Sequence, residues 1–325
     1  MKIFSGTPLS QFADQPAAAP ATPAAAAKPA GPEAARARIP RKPRAKSAKA
    51  APARAAANVV QLPETGPAPV RIVPIPRLAA AGRWRVEAMR SLSEPLLLWF
   101  TRGQGRITVG GVTRGYGAHN AIFIPAGVMH GFEVGGQTFG TALFFGRGND
   151  LNLPAQPRHL RIRDAGTQGE LTILLDSIQR ELESDRAAHD RAAHHYLGLL
   201  GVWLERQIAL AEADTPRPDA ARRLAGRYAE LLERDFRSGH GVSHYAQALG
   251  VTPTHLTRVC KQTCGRSASD LLHDRVIFEA RRMLSETRIP VAEVARTLGF
   301  TSAAYFTRAF QGRTGKTPSA FRRQG

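Results

Sequence analysis

Val291–Arg323 reads VAEVARTLGFTSAAYFTRAFQGRTGKTPSAFRR, and the spacing of its apolar residues decides the fold of the C-terminal third. Val291, Val294, Ala295 and Leu298 recur at helical intervals and make one apolar face of a short helix. Gly299 ends that helix at a position suited to a left-handed turn. A second helix is predicted from about Ser302, with Tyr305, Phe306, Ala309 and Phe310 turned inward and Thr307 and Arg308 outward. Helix, tight glycine turn and helix with a basic outer face is the pattern of a helix-turn-helix unit.

The pattern occurs twice. In VSHYAQALGVTPTHLTRVCKQTCG, Val242–Gly265, the residues Val242, Ala246, Leu249 and Gly250 match Val291, Ala295, Leu298 and Gly299 at an offset of 49. Past the turn the offset becomes 50: Leu256, Thr257, Arg258 and Gly265 match Phe306, Thr307, Arg308 and Gly315. One extra residue in the second turn accounts for the change. Internal repetition is far more specific than either copy alone. Two such units would set two second helices side by side, as successive major-groove faces about 34 Å apart require.

These residues resemble the AraC/XylS family of bacterial transcription regulators, whose DNA-binding region joins two helix-turn-helix units by one long helix. The family's second-unit signature is met by Gly299, Phe300, Phe306, Arg308, Phe310, Gly315, Thr317, Pro318, Phe321 and Arg322. The likeness covers about 100 residues, from near Asp219 to the end. The bridging helix would be Ser267–Thr287, with Leu271, Leu272, Val276, Ala280 and Leu284 on its inner side. The sequence departs from the family at Cys260, where a bulky residue is usual, and at Ala268, where Pro is frequent. The resemblance implies double-stranded promoter DNA and RNA polymerase as partners.

Charge is spread unevenly over the chain. Residues 1–65 carry 10 basic and 3 acidic side chains, 66–219 carry 17 and 15, and 220–325 carry 18 and 8. A near-neutral middle joined to a basic helical end fits a sensor coupled to a nucleic-acid binder. Residues 1–65 make an Ala/Pro-rich tail that turns basic in RIPRKPRAKSAKAAPAR, a composition that predicts disorder. A basic arm on phosphates and a dispensable extension are both open readings. A transit peptide also fits its composition, although the bacterial-type DNA-binding unit argues against it. The start, MKIFSGTPLS, lacks the order of a secretory signal. No run approaches the ~18 apolar residues of a membrane span, so a cytoplasmic protein without membrane contact is expected. The two cysteines, Cys260 and Cys264, can build neither a disulfide framework nor a zinc site alone, which fits a reducing compartment.

Between Val70 and Phe145 the texture changes to short apolar runs divided by glycines. Leu96–Phe100, Arg106–Val109, Asn120–Pro125, Gly131–Val134 and Thr141–Phe145 are predicted strands. Strands this closely spaced point to a small barrel. The order GQGRITVGGVTRGYGAHNAIFIPAGVMHGFEV resembles the cupin-type effector domain common at the N-terminus of AraC-like regulators. His130 stands where metal-dependent cupins place their second-motif His, but the first motif has no His-x-His pair. One ligand does not make a site, so the expectation is no metal and no cofactor. Trp99, Phe123, His130 and Phe132 are the candidates for lining an effector pocket, against the plainer role of core aromatics.

Two helical stripes follow: Leu171, Leu174, Leu175, Ile178 and Leu182, then Tyr196, Leu197, Leu200, Trp203, Leu204 and Ile208. Amphipathic helices of this kind pack on each other or on a second subunit, and the resemblance to AraC-like proteins, which commonly dimerise through such a segment, implies a homodimer. His189, His194 and His195 lie here as a solvated cluster.

The expected class is multidomain α+β. It comprises the disordered tail (1–65), a cupin-like β-barrel (66–155), a helical linker (165–214) and an all-α double helix-turn-helix DNA-binding domain (219–325). Candidate DNA contacts are Thr254, His255, Thr257 and Arg258 in the first unit and Ser302, Ala303, Ala304, Thr307 and Arg308 in the second. Arg258 and Arg308 are the candidate base readers, since arginine can grip guanine with two hydrogen bonds. Lys261, Arg313 and Lys316 are candidate phosphate contacts. These features predict an effector-controlled, sequence-specific transcription regulator and no catalytic residue. The alternatives are a cupin-type enzyme with an accessory helical module and a constitutive DNA binder whose barrel serves dimerisation.

Overall fold

The computed structural model describes residues 69–80, 82–148, 150–212 and 219–323. Expectations for the tail (1–65), and for residues 213–214 of the helical linker, lie outside the described residues.

Alternating side chains build the first layer. In the strand β2, Leu96–Arg102, the odd and even positions part company: Leu96, Leu98 and Phe100 face one core, while Leu97 and Trp99 face another. The same division runs through β5 (Asn120–Ile124) and β7 (Phe139–Phe144). With β1 (Arg71–Pro74) and β8 (Arg158–Arg161) these form an antiparallel sheet of order β1-β7-β2-β5-β8. A second sheet, β4-β3-β6, comprises β3 (Gly105–Val109), β4 (Val112–Tyr116) and β6 (His130–Phe132). Ile107, Tyr116 and Phe132 from the small sheet meet Leu98, Phe100 and Ile122 from the large one.

The result is the expected cupin-like β domain in the form of two facing sheets whose barrel is not closed. No ladder joins the edge strands β4 and β8, and the sandwich stays open along that seam. Three strands also escaped the sequence reading: β1, β4 and β8. In β4, VTRGY, the polar and glycine positions hide a strand that only its pairing with β3 explains.

The outer face of the large sheet is covered by α3 (Ala165–Leu182) and α4 (His189–Glu212). Leu171, Leu175 and Ile178 pack with Leu197, Leu200, Trp203 and Leu204 and with Leu97, Trp99 and Phe123. Asp164 caps α3 by accepting a hydrogen bond from the Thr167 amide at 2.7 Å.

The C-terminal region is all-helical: α5 (Ala220–Asp235), α6 (Val242–Ala248), α7 (Pro253–Cys264), α8 (Ala268–Glu286), α9 (Val291–Thr297), α10 (Ala303–Thr314) and α11 (Pro318–Arg322). One core joins them and is entered by Met89 and Met129 from the sandwich. Inside it, Arg275 of α8 makes a bidentate pair with Glu233 of α5 at 2.7 and 2.8 Å. Glu279 accepts from Arg237 at 2.8 Å and from Arg282 at 2.7 Å.

The sandwich seats on this region at several places. The glycine turn between β3 and β4 lies so close to α5 that a Cβ on Gly111 would meet the Ala225 carbonyl oxygen at 2.8 Å. Ser91 donates to Glu233. Trp84, in the short helix α2 (Trp84–Glu87), packs against Phe278 of α8 and Phe321 of α11 at centroid distances of 5.7 and 6.0 Å.

Candidate nucleic-acid interface and seam cavity

The two repeats fold alike down to single hydrogen bonds. Gly250 and Gly299 take φ of 70° and 77°, the left-handed conformation that costs glycine least. Behind each turn the Val251 amide donates to Ala246 O and the Phe300 amide donates to Ala295 O, both at 3.0 Å. This six-to-one bond closes a Schellman turn in each copy. Thr252 and Ser302 then cap the second helices, each hydroxyl accepting at 3.2 Å from the amide three residues on. Helices α7 and α10 have 12 residues each and end on left-handed glycines, Gly265 and Gly315.

Leu256, Val259 and Cys260 bury one side of α7, which leaves Thr254, Arg258 and Lys261 exposed and His255 and Thr257 half-buried. The Arg258 guanidinium lies 3.0 Å from His255 Nδ1. On α10, Phe306 and Phe310 are buried, while Ser302, Ala303, Ala304 and Arg308 are exposed. Thr307 turns its hydroxyl back to Ala303 O at 2.9 Å. Arg313 reaches the bridging helix and pairs with Asp270 at 3.0 Å. Lys316 is exposed beyond the end of α10. Tyr305 corrects the sequence reading: it is 53% exposed. It sits a full 100° around the helix from Phe306, so the stripe built on Phe306 and Phe310 carries it to the outside.

Both cysteines lie in the core of the first unit. Burial, with the neighbouring Cys264, pushes the Cys260 thiol up to about 12, which makes it a poor nucleophile at neutral pH.

The four residues expected to line an effector pocket do not come together. Trp99 and Phe123 belong to the sheet–helix core under α3 and α4, because their parity on β2 and β5 turns them outward from the sandwich. Phe132 lies between the sheets. His130 is buried, with Nδ1 2.9 Å from the Val128 carbonyl. Burial, and then the Arg90 charge, pull the His130 pKa down to about 3, so its ring is neutral.

The sandwich instead has a cavity of about 520 Å³ at its open seam. Ile107, Val109, Ile122 and Met129 supply apolar wall. Arg114 of β4, His159 of β8 and Arg222 and Arg227 of α5 stand at its rim. His159 lies 2.7 Å from Asn120 Oδ1, and burial, with the Arg114 charge, takes its pKa down to about 4. Strand β4 and the face of α5 were invisible as partners in the sequence, and with them this cavity.

Two helix-turn-helix units on one bridging helix define a double-unit DNA-binding region. Residues 245–324 match the helix-turn-helix domain family. The chain is 34% identical over 119 residues to the arabinose operon regulatory protein of Escherichia coli strain K12, a stretch that is 37% of this chain and 40% of that protein. It is 28% identical over 96 residues to the virulence regulon transcriptional activator VirF of Yersinia enterocolitica, 30% of this chain and 35% of that one. The likeness to these transcription regulators is thus carried by the helix-turn-helix region. The match spans less than half the length of those relatives. Among solved structures, ToxT from Vibrio cholerae aligns over 79% of this chain and 95% of its own, at 10% identity and a TM-score of 0.38. Among the described residues no helix is long and apolar enough to cross a membrane.

Proposed function

We propose that the protein is a cytoplasmic, sequence-specific transcription regulator that binds promoter DNA through α7 and α10 and answers to a small-molecule effector held by the sandwich. The observation that carries this reading is the pair of equally capped 12-residue helices, each presenting an exposed arginine, Arg258 or Arg308, at the same place. Arginine's two-pronged donor geometry suits guanine O6 and N7. Thr254, His255, Thr257, Ser302, Ala303, Ala304 and Thr307 complete the facing surfaces, with Ala303 and Ala304 limited to apolar contact. Lys261 and Lys316 serve phosphates, while Arg313, expected to do the same, is engaged by Asp270.

The regulator acts as a homodimer that engages RNA polymerase at the promoter. Support for the dimer comes from Leu199, Val202 and Leu210 on α4, large apolar side chains left exposed along one helix face.

Genome-wide capture of bound DNA tests the reading, run with the native chain and with Arg258→Ala and Arg308→Ala. Discrete promoter peaks lost in the variants are expected. Diffuse binding that survives both substitutions would sink the regulator and leave a non-specific polycation binder.

A further inference from the structure

The chain has two cysteines, and the fold sets both on one side of one helix. Cys260 and Cys264 span the last turn of α7, four residues apart, at 0% and 9% exposure. Cys264 Sγ turns back along the helix and donates to the Cys260 carbonyl at 3.1 Å. Neither thiol is in a disulfide, and neither lies on the exposed face that carries Arg258. Packing asks only for a small apolar side chain at each place, a need that does not require sulfur twice on one face.

Helical spacing decides what the pair can do. Side chains four residues apart on a helix have Cβ atoms about 5–6 Å apart, whereas a disulfide needs about 3.5–4.5 Å. The two sulfurs therefore do not close on each other while α7 stays helical. A cation set between them spans the difference. It replaces one S–S bond of about 2.0 Å by two metal–sulfur bonds of about 2.3 Å each.

The surroundings narrow the cation. Among the described residues no group of three or more His, Cys, Asp and Glu side chains could hold a metal, so a tetrahedral zinc set is not available. Thiolates without harder donors select a soft cation, Cu(I) above all. Cys264 lines a cleft of about 450 Å³ between the end of α7 and the small sheet, and the Met89 thioether lines the same cleft. Thioether sulfur belongs to the same soft class. Two thiolates around one Cu(I) carry a net charge of −1, and Arg266 stands on the cleft wall beside them. Burial pushes the Cys264 thiol up, while the Arg266 backbone and charge act in the opposite direction.

We propose that Cys260 and Cys264 form a binding site for Cu(I), held between the two thiolates across the last turn of α7 and reached through the cleft at Cys264. One Cu(I) and two thiols give the bis-thiolate complex and two protons, with no change of oxidation state. The high Cys260 pKa that makes the free thiol a poor nucleophile does not bar this exchange, because the metal itself drives deprotonation. The site stands apart from whatever the sandwich binds and does not rest on the reading of the chain as a regulator. It lies in the helix that presents Arg258, so the metal stiffens the C-terminal end of a DNA-facing helix.

Anaerobic transfer of Cu(I) from its bicinchoninate complex to the full chain tests the site. The native chain is expected to take one equivalent and to gain a thiolate-to-metal absorption band in the ultraviolet. Because the chain has two cysteines and no more, that band reports on this pair alone. Zn(II), which needs four ligands, is not expected to stay bound through gel filtration. Cys260→Ala and Cys264→Ala should each weaken Cu(I) by more than about a hundredfold, beyond what losing a mere supporting group costs a metal site. A further readout needs no variant. The folded helix presents both sulfurs together and the unfolded chain does not, so Cu(I) should raise the Tm of the native chain by about 3–6 °C. The proposal is overturned if the native chain leaves Cu(I) on bicinchoninate, if either variant takes the metal as tightly, if Zn(II) is retained equally well, or if loading leaves Tm unchanged.

Discussion

The two helix-turn-helix units share turns, caps and helix lengths, yet they are fastened to the molecule by different physics. The first is framed by charge. Glu233, Arg237, Arg275, Glu279 and Arg282 form a largely buried ion network that ties α5, the entry to α6 and the bridging helix α8 together. The sandwich adds to this frame through Ser91 on Glu233 and through Thr113, whose hydroxyl donates to the Cys264 carbonyl at 3.5 Å. The second unit is held by apolar contact: Phe300, Phe306, Phe310 and Phe321 touch in sequence at centroid distances of 5.1, 5.7 and 5.6 Å. A charged frame is directional and tolerates little loss, because a remaining partner is left buried and alone. An aromatic cluster is less directional and fails by losing volume. The sandwich therefore meets the first unit through polar and charged groups and the second through one aromatic contact, Trp84 on Phe321.

The largest expected effect breaks the first frame. Glu279 is 2% exposed and receives three arginines. Glu279→Ala should cost about 3–5 kcal/mol in chemical denaturation, since Arg275 and its neighbours lose their shared counter-charge. The same group gives a pH signature. Burial alone would raise its pKa, but the Arg282 hydrogen bond and the Arg275, Arg282 and Arg237 charges pull it from 4.5 down to about 2. A folded-state pKa below the unfolded value means stability is present above about pH 4.5 and lost as pH falls toward 2. That acid loss should be much smaller in Glu279→Gln than in the native chain.

The next effect belongs to the second unit. Gly299 has φ of 77°, and a Cβ there would stand 2.3 Å from the Gly239 amide nitrogen. Gly239 itself has φ of 74°, so two glycine backbones nest where the turn of the second unit meets the entry to the first. Gly299→Ala should cost about 2–3 kcal/mol from strain and displacement together. Gly250 has the same turn conformation with no neighbour within 4 Å of a Cβ, so Gly250→Ala should cost less, about 1 kcal/mol. Hydrogen exchange should show α9 and α10 opening first in the Gly299 variant. Equal losses at both turns would remove the distinction between the units.

The base-reading comparison comes third. Arg258 is accompanied on α7 by Thr254, His255 and Thr257, whereas Arg308 shares α10 with Ala303 and Ala304. Arg258→Ala should lose about 1–3 kcal/mol at one base position and relax preference there. Arg308→Ala should relax a second position within a half-site that tolerates more sequence variation overall. Binding-site selection with each variant measures this, and a uniform loss over all sequences would make either arginine a phosphate contact.

What was legible in the sequence was whatever repeats or follows one helical face. The pair of units, the bridging helix and the stripes of α3 and α4 all announce themselves through spacing that local geometry enforces. Tyr305 shows the limit of that method: an aromatic beside a buried stripe is assigned inward unless its angle around the helix is counted. The sandwich was legible as strands but not as a site. Which face of β2 and β5 carries Trp99 and Phe123 depends on where α3 and α4 pack, a relation between distant segments. The seam cavity needs β4, β8 and α5 together, three elements whose only sequence signal is scattered arginine among short apolar runs.

The smallest expected effect sharpens the role of Arg313. It was assigned to phosphate on charge alone, but its guanidinium pairs with Asp270 at 3.0 Å and lies 3.9 Å from Asp274, across from α10 to the bridging helix. The pair is partly exposed, so Arg313→Ala should cost only about 0.2–1 kcal/mol of stability. The salt dependence of DNA binding separates the two duties. A phosphate contact contributes close to one unit of slope in log affinity against log salt. A strut between α10 and α8 contributes none and lowers affinity by the same factor at every salt concentration. Because its geometry is already committed to Asp270, the parallel-line outcome is the expected one, and a change of slope would return Arg313 to the DNA.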